Sequence, residues 1–194
     1  MYHHKIACTV AVTLMFITTL VIVSSHGKNN RSIAQGTSLV TIDSPDKAYA
    51  VWNEKQAKGR TLLLFDSFPH AGGLISYNGP PSLTSKNLIE FSIFKNIIRK
   101  IYFIVPDADW EKFQYKKAII PIREVSGSDR GLYLYNLNGI PFIATTPTAL
   151  PHIEEEVLVY VNDRVFTPQQ VRDALSLKNI TSDITITYQQ GSAR

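Results

Sequence analysis

The sequence predicts an α/β domain built on a mixed, largely parallel sheet of about five to six strands with flanking helices. Two runs of large apolar residues, 62–65 and 101–105, are typical of strands that are buried on both faces. A loop and a helical pattern separate the two runs, which is the order of a βαβ unit with parallel strands. Further strands and two more helices are predicted after it. Thioredoxin-like and flavodoxin-like layouts both fit this order of elements.

The first half of the domain contains two predicted helices and the first apolar strand. Residues 44–46, Ser-Pro-Asp, are typical of a helix start, because they provide a capping hydroxyl, a proline at the first position and an acid in the first turn. Gly59 is expected to end this helix, and a strand over 61–66 follows. The loop over 67–84 is rich in glycine and proline, and loops of this length are usually functional. A second helix begins at residue 85, with isoleucines every four residues.

The second half contains shorter elements with clearer turn signals. Asn138-Gly139 between two apolar runs predicts a hairpin. Thr167 and Gln170 form a capping box at the start of a helix. Pro121 places its strand near a sheet edge, since proline cannot donate to the ladder. The predicted elements are a helix over 108–114, strands over 119–125, 132–135, 140–143 and 157–161, a helix over 168–177 and a strand over 184–188.

The N-terminal segment predicts a contact with a membrane. Residues 6–25 contain no charged side chain, and about 20 apolar residues suffice to cross roughly 30 Å of hydrocarbon as a helix. We interpret 1–27 as a signal anchor, with a cleaved signal peptide as the alternative. Residues 28–43 then form a polar linker, and 44–190 form a single α/β domain. The domain is expected outside the cytoplasm, held at the membrane, or secreted or periplasmic if the segment is cleaved.

Charge and cysteine usage exclude several classes of function. Residues 1–31 contain three of the 20 basic side chains and none of the 16 acidic ones, so the remaining chain has 17 basic against 16 acidic residues. Nucleic-acid binding through a basic face is therefore not expected. Cys8, within the apolar run, is the only cysteine. The folded region consequently cannot form a disulfide, a thiolate nucleophile or a cysteine metal site.

Aspartates follow three of the predicted apolar strands, at positions 66, 107 and 163. Ligands of open α/β sheets bind beyond the carboxyl ends of the strands. If the first two strands are neighbours, Asp66 and Asp107, with Asp109 nearby, could hold Mg²⁺ or Ca²⁺ through carboxylate oxygens. The alternative is that Asp107 caps a helix and Asp163 turns the chain, which are ordinary uses of aspartate.

A serine–histidine site is the second chemical possibility. Asp66, Ser67 and His70 follow the first apolar strand, and His152 is the only other histidine of the folded region. Members of a catalytic triad normally come from distant segments of the chain. The pairing that meets this condition is His152 with Asp66 or Ser67. No glycine-flanked nucleophile elbow is present. Both histidines lie in predicted loops, where a surface role is the alternative.

Three hypotheses of function follow. The first is an anchored or exported extracytoplasmic α/β domain that acts in binding or assembly with a protein partner. The second is a metal-dependent hydrolase or phosphotransferase that uses the strand-end aspartates. The third is a thioredoxin-like module without redox chemistry that binds peptides. The sequence contains no nucleotide-binding motif and identifies no cofactor.

Overall fold

The computed structural model describes residues 38–71, 82–115, 123–128 and 132–189. The apolar run over 6–25 lies outside them, so the anchor or signal sequence remains a prediction. Within the described ranges, no helix is both long and apolar enough to cross a membrane.

The described residues form one sheet of eight strands, with four helices around it. The strands are β1 (Ser38–Ile42), β2 (Arg60–Phe65), β3 (Ile98–Ile104), β4 (Arg123–Ser128), β5 (Leu132–Leu137), β6 (Ile140–Thr145), β7 (Val157–Asn162) and β8 (Ser182–Tyr188). The helices are α1 (Lys47–Glu54), α2 (Leu88–Phe94), α3 (Trp110–Tyr115) and α4 (Pro168–Leu177), with a 3₁₀ turn at Asp107–Asp109 before α3.

The strands lie in the order β1-β8-β7-β2-β3-β6-β5-β4. The six strands from β1 to β6 in that order are parallel neighbours, whereas β5 and β4 continue the sheet antiparallel. The predicted α/β class and largely parallel sheet are confirmed. When the five parallel strands other than β1 are numbered 1 to 5 in chain order, their order across the sheet is 3-2-1-4-5, as in doubly wound sheets. A flavodoxin-like sheet has the order 2-1-3-4-5. The chain therefore reverses direction between β2 and β7, which is the topological switch point.

Strand β2 is the centre of the molecule, as the sequence predicts. Residues 62–65 are each 0% exposed, and β2 pairs in parallel with β3 on one side and with β7 on the other. The predicted βαβ unit is thus confirmed. Burial of each of these side chains stabilises the fold by about 1.5–3 kcal/mol.

Alternate side chains of β2 enter two separate cores. Leu62 and Leu64 pack in the core that also contains Trp52 of α1 and Ile89 of α2. Leu63 and Phe65 pack in the opposite core, which contains buried residues of α4. The sheet is therefore covered on both faces, and this explains why β2 reads as a continuous apolar run rather than an alternating one.

The sheet is larger than the five to six strands expected, and part of the predicted linker belongs to it. Residues 38–42 of the linker assigned to 28–43 form β1, which pairs in parallel with β8. Only Ile42 of this strand is buried. An edge strand held by backbone bonds with so little apolar burial leaves no periodic signal in the sequence, which explains the wrong prediction.

Three element boundaries also differ from the prediction. Helix α1 ends at Glu54 rather than near Gly59, and Gln56 already has a positive φ of 56°. Helix α2 covers 88–94 and not the full pattern from residue 85. Asn96, with a φ of 57°, turns the chain into β3. The strand expected over 119–125 is found at 123–128, and residues 119–122 lie outside the described ranges.

The hairpin turn and the capping box are confirmed, whereas the helix start predicted at 44–46 is not, because α1 begins at Lys47 and its N-cap residue Asp46 makes no side-chain capping hydrogen bond. Asn138 and Gly139 have φ values of 51° and 87°, the backbone of a tight hairpin turn, and they join the antiparallel strands β5 and β6. Helix α4 covers the predicted range 168–177. The backbone N–H of Gln170 donates to Thr167 Oγ1 at 3.3 Å, and the Thr167 N–H donates to Gln170 Oε1 at 2.8 Å.

We expect Thr167→Ala to lower the free energy of unfolding by about 1 kcal/mol, because the first turn of α4 loses the acceptor of the Gln170 N–H. Thr167→Ser keeps an oxygen at the same position and serves as the control. Urea denaturation of both variants measures the effect. Equal losses in Ala and Ser variants would contradict a capping role for the hydroxyl.

Candidate functional site

Asp66 lies directly after β2, at the switch point of the sheet, and is 1% exposed. Its Oδ1 accepts three hydrogen bonds, from the backbone N–H groups of Ser67 (2.6 Å) and Phe68 (3.1 Å) and from Asn162 Nδ2 (3.1 Å). Asn162 is the last residue of β7. The carboxylate therefore ties together the ends of the two strands between which ligands bind in doubly wound sheets.

His70 contacts the second oxygen of this carboxylate. Its Nε2 lies 2.9 Å from Asp66 Oδ2, and its Nδ1 lies 2.8 Å from the carbonyl oxygen of Ser85. A carbonyl only accepts hydrogen bonds, so Nδ1 carries hydrogen, and opposite an ionised carboxylate Nε2 donates as well, which is the arrangement of an imidazolium–carboxylate pair. Edge-on contacts with Phe68 and Tyr160 enclose the ring. Both ring nitrogens of His70 are thus engaged with oxygens of the protein.

Ser85 extends this arrangement to the start of α1. Its carbonyl accepts from His70, and its hydroxyl donates to Asp46 Oδ1 at 2.9 Å. The Ser44 hydroxyl donates to the same oxygen. These two hydrogen bonds, that from Ser44 first, hold the pKa of Asp46 below its ordinary value. The Ile89 N–H also donates to the His70 carbonyl at 3.2 Å. His70, near the start of the connection from β2 to α2, is therefore bonded both to Ser85, near its end, and to α2 itself.

Tyr160 lies in the middle of β7 and is fully buried beneath His70. Within the described part of the chain its hydroxyl has no hydrogen-bond partner. Burial, and secondly the charge of Asp66, raise the pKa of the Tyr160 phenol. The phenol therefore stays protonated and offers no base at the switch point.

The structure brings together Asp66, Ser67 and His70 but places His152 elsewhere. His152 is exposed, and its Nδ1 bonds the carbonyl of Lys178 at 2.7 Å. Lys178 follows α4 and precedes β8, so it belongs to the amino edge of the parallel strands, opposite Asp66. Ser67 is exposed beside Asp66. The predicted pairing of His152 with Asp66 or Ser67 is therefore not formed.

The three aspartates predicted to hold a metal have separate partners. Asp107 Oδ1 accepts from Thr148 Oγ1 at 2.6 Å, and Asp109 Oδ1 is 3.1 Å from Lys112 Nζ. All four donors to Asp66 are protein groups. Among the residues described, no group of three or more His, Cys, Asp or Glu side chains is placed to bind a metal. The metal prediction gains no support from this geometry.

A groove of about 380 Å³ begins at the same edge of the sheet and continues along α4. This volume is within the range of small-ligand sites, which is about 300–1,000 Å³. We call it the α4 groove. Its lining comes from the segments after β3 and β6 and from α4 with the residue before it: Pro106, Asp107, Ala108, Pro147, Thr148, Phe166, Gln170, Asp173, Ala174 and Leu177.

The chain matches none of the protein-family models, curated proteins or solved structures with which it was compared. Its candidate sites are therefore defined by geometry alone.

The sequence did not predict the roles of Asn162, Ser85 or the α4 groove. Only the neighbouring position of β2 and β7 brings the Asn162 amide to Asp66. Ser85 was identified only as a helix start. A search for polar residues directly after every apolar strand would have found Asn162, whereas nothing local indicates that the Ser85 carbonyl receives His70.

Replacing Asp66 tests the buried ion pair. Asp66→Ala leaves an imidazolium N–H unpaired in the core, and we expect it to lower the free energy of unfolding by about 3–5 kcal/mol. Asp66→Asn keeps the Oδ1 acceptor and can donate an amide N–H to the Nε2 of a neutral ring. We expect that variant to lose roughly 1 kcal/mol.

Urea denaturation measures both variants, and ¹⁵N NMR of His70 reports the ring protons. The wild-type ring should carry hydrogen on both nitrogens at neutral pH, and the ring of Asp66→Asn on Nδ1 alone. Equal destabilisation by the two substitutions, with a singly protonated wild-type ring, would refute the ion pair.

Ser85→Ala tests the link to Asp46, because it removes one hydroxyl donor and keeps the carbonyl that receives His70. We expect the pKa of Asp46 to rise toward its ordinary value of 3.8. A lowered folded-state pKa stabilises the fold above the unfolded pKa, and this contribution disappears as the pH falls through the folded value. The stability deficit of Ser85→Ala should therefore be full above pH 3.8 and shrink below it.

Carboxyl ¹³C titration and urea denaturation across this pH range measure the two effects. Ser82→Ala is the matched control, since Ser82 is exposed and contacts Asn87 through its carbonyl. A deficit that is the same at every pH would show that the Ser85 hydroxyl does not act through Asp46.

Proposed function

We propose that this protein is a membrane-anchored or exported α/β domain that acts by binding a protein partner outside the cytoplasm. The location is supported by the uncharged apolar run over 6–25 and by the polar segment that follows it. The absence of cysteine from the folded region is compatible with export.

The observation that favours binding over catalysis is that Asp66 and His70, the polar pair at the switch point, form all these hydrogen bonds with other groups of the protein. Asp66 accepts four hydrogen bonds and His70 uses both ring nitrogens. A catalytic acid or base must reach a substrate proton, and these groups are already engaged with the protein. The α4 groove, which begins at the same edge, is open and largely apolar in its lining, which is the character of a recognition surface.

No observation favours either of the two other hypotheses. A metal-dependent hydrolase or phosphotransferase needs ligands that converge on one ion, and the aspartates at 66, 107 and 109 bond to different partners. A thioredoxin-like module without redox chemistry gains no support from a central strand order of the doubly wound kind.

Location can be tested on the full-length chain with a C-terminal tag. We expect the tagged chain in the membrane fraction after an alkaline wash, with the tag degraded by protease added to spheroplasts or other cells without an outer barrier. Deletion of residues 2–27 should move the protein to the soluble fraction and protect the tag, because no other described segment can cross a membrane.

Intact mass distinguishes the two forms of the proposal. A retained N-terminus indicates an anchor, and a mass that begins near residues 26–28 indicates a cleaved signal peptide. Full-length protein that is soluble, protected from external protease and intact at its N-terminus would overturn the proposed function.

A further inference from the structure

The α4 groove follows one side of a helix for most of its length. Gln170, Asp173, Ala174 and Leu177 line it from the helix, and this spacing of three to four residues places them along one face. At 1.5 Å per residue, the rise from Gln170 to Leu177 is about 10 Å. An extended chain covers that distance with about three residues at about 3.3 Å each.

The walls of the groove combine apolar surface with negative charge. Leu177 is 70% exposed at one end, and prolines and alanines form much of the remaining lining. Asp107 on one wall and Asp173 on the other are exposed. The described lining contains no cationic side chain. Lys178, beyond the end of α4, is directed to the Thr148 carbonyl at 3.3 Å.

Neither carboxylate is neutralised by an ion pair within the described residues. Asp107 Oδ1 accepts from the Thr148 hydroxyl, and Asp173 Oδ1 accepts from the Gln169 amide at 2.6 Å. Both donors are uncharged and leave the negative charge in place. The complementary ligand is therefore apolar along its length and cationic in its middle.

We propose that the α4 groove binds an extended segment of a partner protein, with about three residues in the groove, in which a lysine or arginine lies between apolar residues. This inference rests on the proposed function, for which it names the class of partner. The apolar side chains cover Leu177 and the prolines, and the cation lies between Asp107 and Asp173. A compact organic cation would reach only part of a groove that follows α4 from one end to the other.

The test uses fluorescently labelled, terminally blocked peptides and the purified full-length chain in detergent micelles. The probe is Ala-Leu-Arg-Leu-Ala, and the matched controls replace the central arginine by glutamine or glutamate. Fluorescence anisotropy should show the arginine peptide binding about three- to tenfold more tightly than the glutamine peptide, as expected for exposed ion pairs, and binding the glutamate peptide least. The preference should weaken as salt is added.

Two sets of variants locate the binding. Asp107→Asn combined with Asp173→Asn should abolish the preference for arginine, whereas Asp109→Asn, which lies outside the lining, should leave it unchanged. Leu177→Ser should weaken the arginine and glutamine peptides equally, with Leu39→Ser, exposed on the distant edge strand, as the control. All substituted side chains are at least partly exposed, and circular dichroism confirms that each variant is folded.

No binding, equal binding of the arginine and glutamine peptides, or equal effects of Asp109→Asn and the double variant would each overturn the inference. These results are independent of where the protein resides. Failure of the peptides therefore refutes the ligand class and leaves the proposed function standing, whereas a cytosolic location refutes the proposed function whatever the peptides do.

Discussion

The 2.9 Å contact between Asp66 Oδ2 and His70 Nε2 is the constraint on which the carboxyl edge of this sheet depends. The Asp66 side chain is 1% exposed, so its carboxylate must find its hydrogen-bond partners within the protein. Asp66 does so by accepting the next two backbone N–H groups, and His70 closes the turn from the other side. His70 has a φ of 48°, a conformation that costs energy in non-glycine residues. Bonds to both ring nitrogens hold it there.

A buried ion pair of this kind contributes little net stability although it is costly to break. The cost of removing two charges from water cancels much of their attraction, but loss of one partner leaves a charge unpaired in the core. In this protein the pair selects one path for the chain after β2, because the Ser85 carbonyl fixes Nδ1 while Asp66 fixes Nε2.

What could be predicted from the sequence was set by local pattern. The apolar run at 62–65, the Asn138-Gly139 turn and the capping box at Thr167 each act within a few residues, so each was correctly identified. Strand β1 and the contact of Asn162 with Asp66 were not, because both depend on which strands become neighbours. In the candidate site, the sequence therefore identified Asp66 and His70. It did not identify their hydrogen-bond partners Asn162 and Ser85.

The buried pair and the α4 groove are linked through the turn after β7. Asn162, held by Asp66, accepts from the backbone N–H groups of Val165 and Phe166 at its own carbonyl, each at 3.0 Å. Phe166 lines the groove, and its ring meets that of Phe65, the residue before Asp66, edge-on at 5.3 Å. The charged contact at the switch point thus positions an aromatic ring of the groove from two directions. A ligand in the groove would contact a surface whose shape is set by groups that it never touches.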